Sequence, residues 1–157
     1  MRRQLLDVEQ AQAVGREDLA HRERASGFEE LGTYEAFGRT VVEDKLEILS
    51  FLIGLRREGL RIAGYGAAAK GNTMLNYCGV GPEIVEFVCD LNPRKQGHLL
   101  PGSRIPIRDP EALREQRPDV IVILPWNLRT EIVEQLSFAR EWGGRFAARA
   151  PNLRLLD

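Results

Sequence analysis

The feature that most constrains the fold is an alternation beginning after Gly59, in which short apolar runs take turns with stretches whose apolar residues recur at helical spacing. Short apolar runs bury well as strands. Helices placed between successive strands carry the chain back to the same edge, so the strands pair in parallel. The runs predict strands at Arg61 to Tyr65, Ile84 to Cys89, Ile105 to Ile107, Val120 to Leu124 and Arg145 to Ala148, followed by an alternating tail at Leu153 and Leu155. Val120 to Leu124 is apolar throughout and is expected to be central, buried on both faces. Between these runs, helices are expected over Ala68 to Tyr77, after Asp109 as a cap with Pro110 in first position, and over about Arg129 to Trp142, ended by Gly143-Gly144.

The first strand hands over to its helix through Gly64-Tyr65-Gly66-Ala67-Ala68-Ala69-Lys70-Gly71-Asn72. Gly64-x-Gly66-x-x-Ala69 fits the dinucleotide fingerprint in its Gly/Ala form, with one glycine for the tight turn, one for close approach to phosphate, and a small residue where helix meets strand. Asp90 ends the second strand 24 residues beyond Gly66, where an acid commonly takes a ribose hydroxyl. The fold class that follows is α/β, a Rossmann-like, doubly wound and mainly parallel sheet of five or six strands. The plainer reading of the same residues is a tight first turn and an aspartate that caps the next loop.

The segment before the sheet is different in kind. Residues 1 to 30 hold five basic and seven acidic side chains, and Leu5, Leu6, Val8, Val14, Leu19 and Phe28 form too thin an apolar stripe to define a core. Residues 1–33 are therefore expected to be a polar helical extension or linker, and 34–157 the folded domain. From Tyr34 the pattern tightens through Phe37, Val41, Leu46, Leu49, Phe51, Leu52 and Leu55, predicting a long amphipathic helix that covers one face of the sheet.

Charge restricts the partners. Lys plus Arg is 22 against 23 for Asp plus Glu, so no global positive excess is available for nucleic acid or an anionic membrane, and any anion site must be local. The two cysteines, Cys78 and Cys89, and two histidines, His21 and His98, are too few for a Cys/His zinc site or a disulfide framework. The opening residues carry acids soon after Leu5-Leu6, unlike a signal peptide or anchor, and a cytoplasmic location is expected.

Lys70 adds a cation to a helix start that already favours anions, which suits a polyanion such as a pyrophosphate; a solvated surface lysine is the alternative. It counts against S-adenosylmethionine, itself a cation, and Leu60-Arg61-Ile62-Ala63 before the glycines lacks the acid usual for that cofactor. Asn72 and Asn76 share a helix face with a ligand-binding or merely exposed role. The loop Asn92-Pro93-Arg94-Lys95-Gln96-Gly97 and the turn Pro125-Trp126-Asn127 both follow strands at the carboxyl edge, where ligands of open α/β sheets gather. Trp126 offers a stacking face or core packing, and His98 reads as a surface residue. No nucleophile with a paired base is evident, so no catalytic residue is assigned.

GYGAAAKGNTMLNYCGV, DLNPRKQGHLLPGSRIPI, PDVIVILPWNLRTEIVEQL and the closing GGRF and PNL resemble the C-terminal domain of S-adenosylmethionine-dependent sugar C-methyltransferases, from about Tyr34 onward. The resemblance implies a nucleotide-sugar-binding domain in which Gly64, Gly66, Ala68, Lys70, Asn72, Asn76, Asp90, Asn92, Lys95, Gln96, Trp126 and Asn127 face a nucleoside-diphosphate deoxysugar. It also implies that the methyl donor, S-adenosylmethionine, and the base that forms the enolate belong to a methyltransferase domain on the same or another polypeptide. No cofactor is expected on these 157 residues. A stand-alone nucleotide or NAD(P)-binding module with a regulatory or redox role remains the alternative, because the glycine pattern alone permits both.

Overall fold

A computed structural model describes residues 18–149 and 152–156. The chain divides into two compact units, Met1–Val42 and Glu43–Asp157. In the first, residues 18–25 form helix α1, and α2 (Leu31–Arg57) begins and continues into the second. The Tyr34 hydroxyl donates to the Phe28 carbonyl at 2.7 Å, and Leu31, Tyr34 and Phe37 stand exposed. The expected apolar positions Leu5, Leu6, Val8 and Val14 lie outside the described residues.

The second unit is built on a six-stranded sheet in the order β3-β2-β1-β4-β5-β6. Its elements run β1 (Ile62–Tyr65), α3 (Ala69–Cys78), β2 (Val88–Cys89), β3 (Ile107–Arg108), α4 (Glu111–Gln116), β4 (Val120–Ile123), α5 (Arg129–Gln135), β5 (Arg145–Arg149) and β6 (Leu153–Leu156). Every pairing from β3 across to β5 is parallel, and β6 returns antiparallel to β5. This is the Rossmann-like strand order, with the winding reversing between β1 and β4. Strand parity sorts the core. Ile62, Val88, Val120 and Val122 meet Ile48, Leu52 and Leu55 of α2 and Leu75 of α3 on one face. Ala63, Tyr65, Ile121 and Ile123 meet Leu113 of α4 and Ile132 of α5 on the other. Burial on both faces explains why β4 is a continuous Val/Ile run.

Three elements differ from their sequence patterns. The run from Ile84 pairs as a named strand only at Val88–Cys89, because the Ile84 and Val85 amides both turn back to the Gly81 carbonyl, at 3.0 and 3.1 Å. The third strand pairs at Ile107–Arg108, while Ile105 is buried beneath its loop. The helix expected to reach Trp142 ends at Gln135 and gives way to a 3-10 segment over Ser137–Trp142, which Gly143 closes in the left-handed region at φ 82°. Asp109 does cap α4, its Oδ1 accepting from the Glu111 and Ala112 amides at 2.8 and 3.3 Å.

Candidate functional site

The carboxyl ends of β1 and β4 lie side by side, with Tyr65 paired to Ile123 and the Leu124 amide donating to the Tyr65 carbonyl at 3.0 Å. Here the chain turns at Gly66, whose φ of +83° disfavours any side chain. A Cβ there would also lie 2.6 Å from Pro125 Cδ. Gly66 is thus required twice, by its own conformation and by the next turn of the sheet.

The other two fingerprint positions do different work from what their spacing suggests. Gly64 lies inside β1, where a Cβ would come 2.8 Å from Val88 Cγ2, so it permits strand packing and leaves the turn to Gly66. Ala69 is exposed. The close approach of helix to strand occurs at Gly71, where a Cβ would meet Leu124 Cβ at 2.5 Å. Sequence reasoning missed Gly71, because its partner Leu124 is distant in the chain and no local spacing marks the contact.

Asp90 organises what lies beyond the turn. Its Oδ2 accepts from the Ala67 amide at 2.7 Å and from Lys95 Nζ at 3.0 Å, while Oδ1 accepts from the Asn92 amide at 2.8 Å. Burial pushes the Asp90 carboxyl up, but the Asn92 amide, Lys95 and the Ala67 amide together outweigh it and hold the group below its ordinary value. Lys95 Nζ also donates to the Ala67 carbonyl at 3.0 Å, and Gln96 Nε2 donates to the Asp90 carbonyl at 2.9 Å. Asn92 Oδ1 accepts from the Arg94 amide at 3.0 Å and turns the loop. Asp90, Asn92, Lys95 and Gln96 therefore weld the basic loop to the glycine turn.

A cleft of about 570 Å³ opens between this loop and the start of α3. Ala67, Ala68, Ala69 and Asn72 form one wall, and Arg94, Lys95 and His98 line it from the loop. Among the described residues no carboxylate belongs to its lining, and Lys95 is paired with Asp90 behind it at 3.0 Å. The helix start supplies amides and a favourable dipole for an anion, and three basic side chains reinforce it. His98, which reads as a surface residue in the sequence, belongs to this wall because the chain doubles back; its Nδ1 lies 3.2 Å from the Gln96 carbonyl.

The remaining candidates disperse. Lys70 is exposed on α3, beside the cleft in sequence but not in its lining. Asn76 Nδ2 donates to the Pro101 carbonyl at 2.8 Å and to Asn72 Oδ1 at 3.2 Å, and its side chain faces a separate hollow with Gly102 and Ser103. Trp126 is half-buried and packs against the cores of both sheet faces, and Asn127 beside it is exposed.

Residues 3–151 match the sequence profile of the C-methyltransferase C-terminal domain. The chain belongs to that family. It is similar to the C-methyltransferase NovU of Streptomyces niveus, 36% identical over 140 residues, which are 89% of this chain and 33% of that protein. The chain thus spans about a third of the length of this relative. Among solved structures it is similar to UDP-D-quinovosamine 4-dehydrogenase from Vibrio fischeri, with a TM-score of 0.45 and 17% identity over 62% of this chain and 93% of that one. Methyltransferases of this family imply S-adenosylmethionine as donor, yet a cleft lined by Arg94, Lys95 and His98, with no carboxylate among its described lining residues, does not fit a sulfonium cation. Among the described residues no helix is long and apolar enough to cross a membrane.

Proposed function

We propose that this domain is the substrate-holding part of a C-methyltransferase and binds a nucleoside-diphosphate 4-keto-deoxysugar by its diphosphate. The observation that carries the reading is the basic cleft at the carboxyl edge, where the start of α3 faces Arg94, Lys95 and His98. Family membership supplies the reaction class. The donor and the base that forms the enolate then belong to a methyltransferase domain on the same or another polypeptide. The contribution of this domain is orientation: holding the reacting carbon near the donor is worth about 7 to 11 kcal/mol in favourable cases.

The alternative, a stand-alone NAD(P) or nucleotide module, leans on Gly66 and Asp90. Against it, both Asp90 oxygens already serve the turn and the loop, so the carboxylate acts as an anchor before it can act as a ribose acceptor. Calorimetry with TDP, UDP, TDP-glucose, NADH and S-adenosylmethionine separates the readings. Binding of the diphosphates but neither NADH nor S-adenosylmethionine is expected, and preference for NADH would overturn the proposal. Labelled S-adenosylmethionine with a 4-keto TDP-sugar should give no turnover with this chain alone.

A further inference from the structure

His98 stands in the wall of the basic cleft on a backbone that is fixed from both sides. Its amide donates to the Lys95 carbonyl at 3.2 Å, and its carbonyl accepts from the Ile107 amide of β3 at 2.8 Å. Gly97 before it turns at φ +78° and donates to the Ile107 carbonyl at 2.9 Å. The imidazole itself is exposed, so a ligand in the cleft can reach it.

One contact sets its tautomer. Nδ1 lies 3.2 Å from the Gln96 carbonyl, an oxygen that can only accept, so in the neutral ring Nδ1 carries the proton and Nε2 the lone pair. A phosphate oxygen of a nucleotide sugar also only accepts, and the neutral ring has no donor left to give it. Once Nε2 takes a proton, both nitrogens donate and the ring adds a positive charge beside Arg94 and Lys95. Imidazole changes charge between pH 5 and 8, where a guanidinium, an ammonium and a carboxylate keep theirs. The charged groups about the ring are Arg94 and Lys95 on its own loop and Asp90 behind Lys95, while Lys70 of α3, Arg104 and Arg108 lie outside the lining. The α3 residues in the lining are uncharged. Among the described residues of the cleft, His98 is therefore the group that titrates near neutral pH.

We infer that His98 engages the diphosphate only as the imidazolium, so that binding in the cleft is coupled to uptake of a proton from solvent at Nε2. The inference rests on the nucleoside-diphosphate reading of the cleft. The proton returns to solvent when the ligand leaves, and no covalent bond to the ligand forms. Binding is strongest while the ring is charged and weakens as pH rises and the ring loses its proton.

The test is calorimetric titration of the full chain with TDP-glucose, whose phosphate charges do not change over this range. Affinity should fall roughly five- to tenfold between about pH 5.5 and about pH 8, the range of one charge-assisted contact. Near neutral pH the heat should differ between buffers of low and high ionisation enthalpy, in the direction of net proton uptake. His98→Gln, which keeps a neutral N–H donor, should bind with the weaker affinity at both pH values and take up no proton. His98→Lys, charged throughout, should bind tightly at both. The side chain is exposed, so both variants should melt with the wild type. His21→Gln, at the other histidine of the chain, should keep the wild-type pH dependence. If wild-type protein binds TDP-glucose equally at both pH values, or if the dependence survives in His98→Gln, the inference is overturned and the diphosphate reading stands. If wild-type protein binds no TDP-glucose at either pH, both are overturned.

Discussion

The two hollows that flank Gly66 are separated by a single turn of chain and differ in almost every chemical respect. The cleft on the β2 side gathers Arg94, Lys95 and His98 around the start of α3, whereas the cavity on the β4 side has Tyr65, Pro125 and Leu128 with Glu131 and, among the described residues, no base. The difference follows from what each loop must do. The loop after β2 is long and polar and closes through Asp90, so its cations are held near the helix start. The turn after β4 is short, and its Pro125 has to pack on Gly66.

The largest effect should come from the turn that separates the two hollows. Gly66→Ala combines a left-handed φ with a Cβ 2.6 Å from Pro125, and should cost about 3 kcal/mol or more of stability by urea denaturation. It should also impair binding of TDP in the cleft. An unchanged affinity would show that the cleft does not depend on this turn.

Asp90→Asn comes next, and its expected cost is about 2 kcal/mol through a weakened carboxylate contact to Lys95 and two backbone amides. Because the folded state depresses the Asp90 pKa, its contribution is full above the ordinary carboxyl value of 3.8 and is lost as pH falls below that through the folded value. The stability gap between wild type and variant should therefore narrow on acidification, measured by denaturation over a pH series. TDP and UDP should lose affinity equally, since the carboxylate serves the turn. A loss confined to UDP would instead assign Asp90 to the ribose 2′-hydroxyl.

Removing single cations sharpens the charge contrast. Arg94→Ala should weaken TDP by about tenfold with little change in stability, and the deficit should shrink at high salt. Lys70→Ala, at an exposed position of α3, should weaken it by roughly two- to fivefold. An unchanged affinity returns Lys70 to the solvent surface. The smallest effect concerns the thiols: burial and then Asp109 push Cys89 up to about 12, and burial raises Cys78, so neither should alkylate at pH 8 until the protein unfolds.

Much of this organisation is legible in the amino-acid sequence. Val120 to Ile123 reads as a central strand because burial on both faces leaves no place for a polar residue, and Asp109-Pro110 reads as a helix start because the local hydrogen bonds are within three residues. The fingerprint places a tight turn within Gly64 to Ala69, but the structure puts that turn at Gly66 and the close approach of helix to strand at Gly71 instead of Ala69. Gly71 is required by Leu124, more than fifty residues away in sequence, and no local spacing rule contains that contact. Ile84 was misread for a similar reason, since an apolar run looks the same whether its amides pair with a strand or turn back on Gly81.

The sequence by itself determined the α/β architecture, a tight turn within Gly64 to Ala69 and the family, because periodicity, glycine placement and motif order are properties of neighbouring residues. Which side chains meet was decided by the tertiary structure. His98 joins the cleft only because its loop folds back over α3, and Asn76 leaves it only because Pro101 offers a carbonyl. Asp90 becomes an anchor once Ala67, Asn92 and Lys95 converge on it. Tyr65 becomes a core residue once strand parity turns it toward Ile132 and Leu136. Hydrogen bonding and burial act over a few ångströms in space, and the distance in chain between the partners does not enter into them.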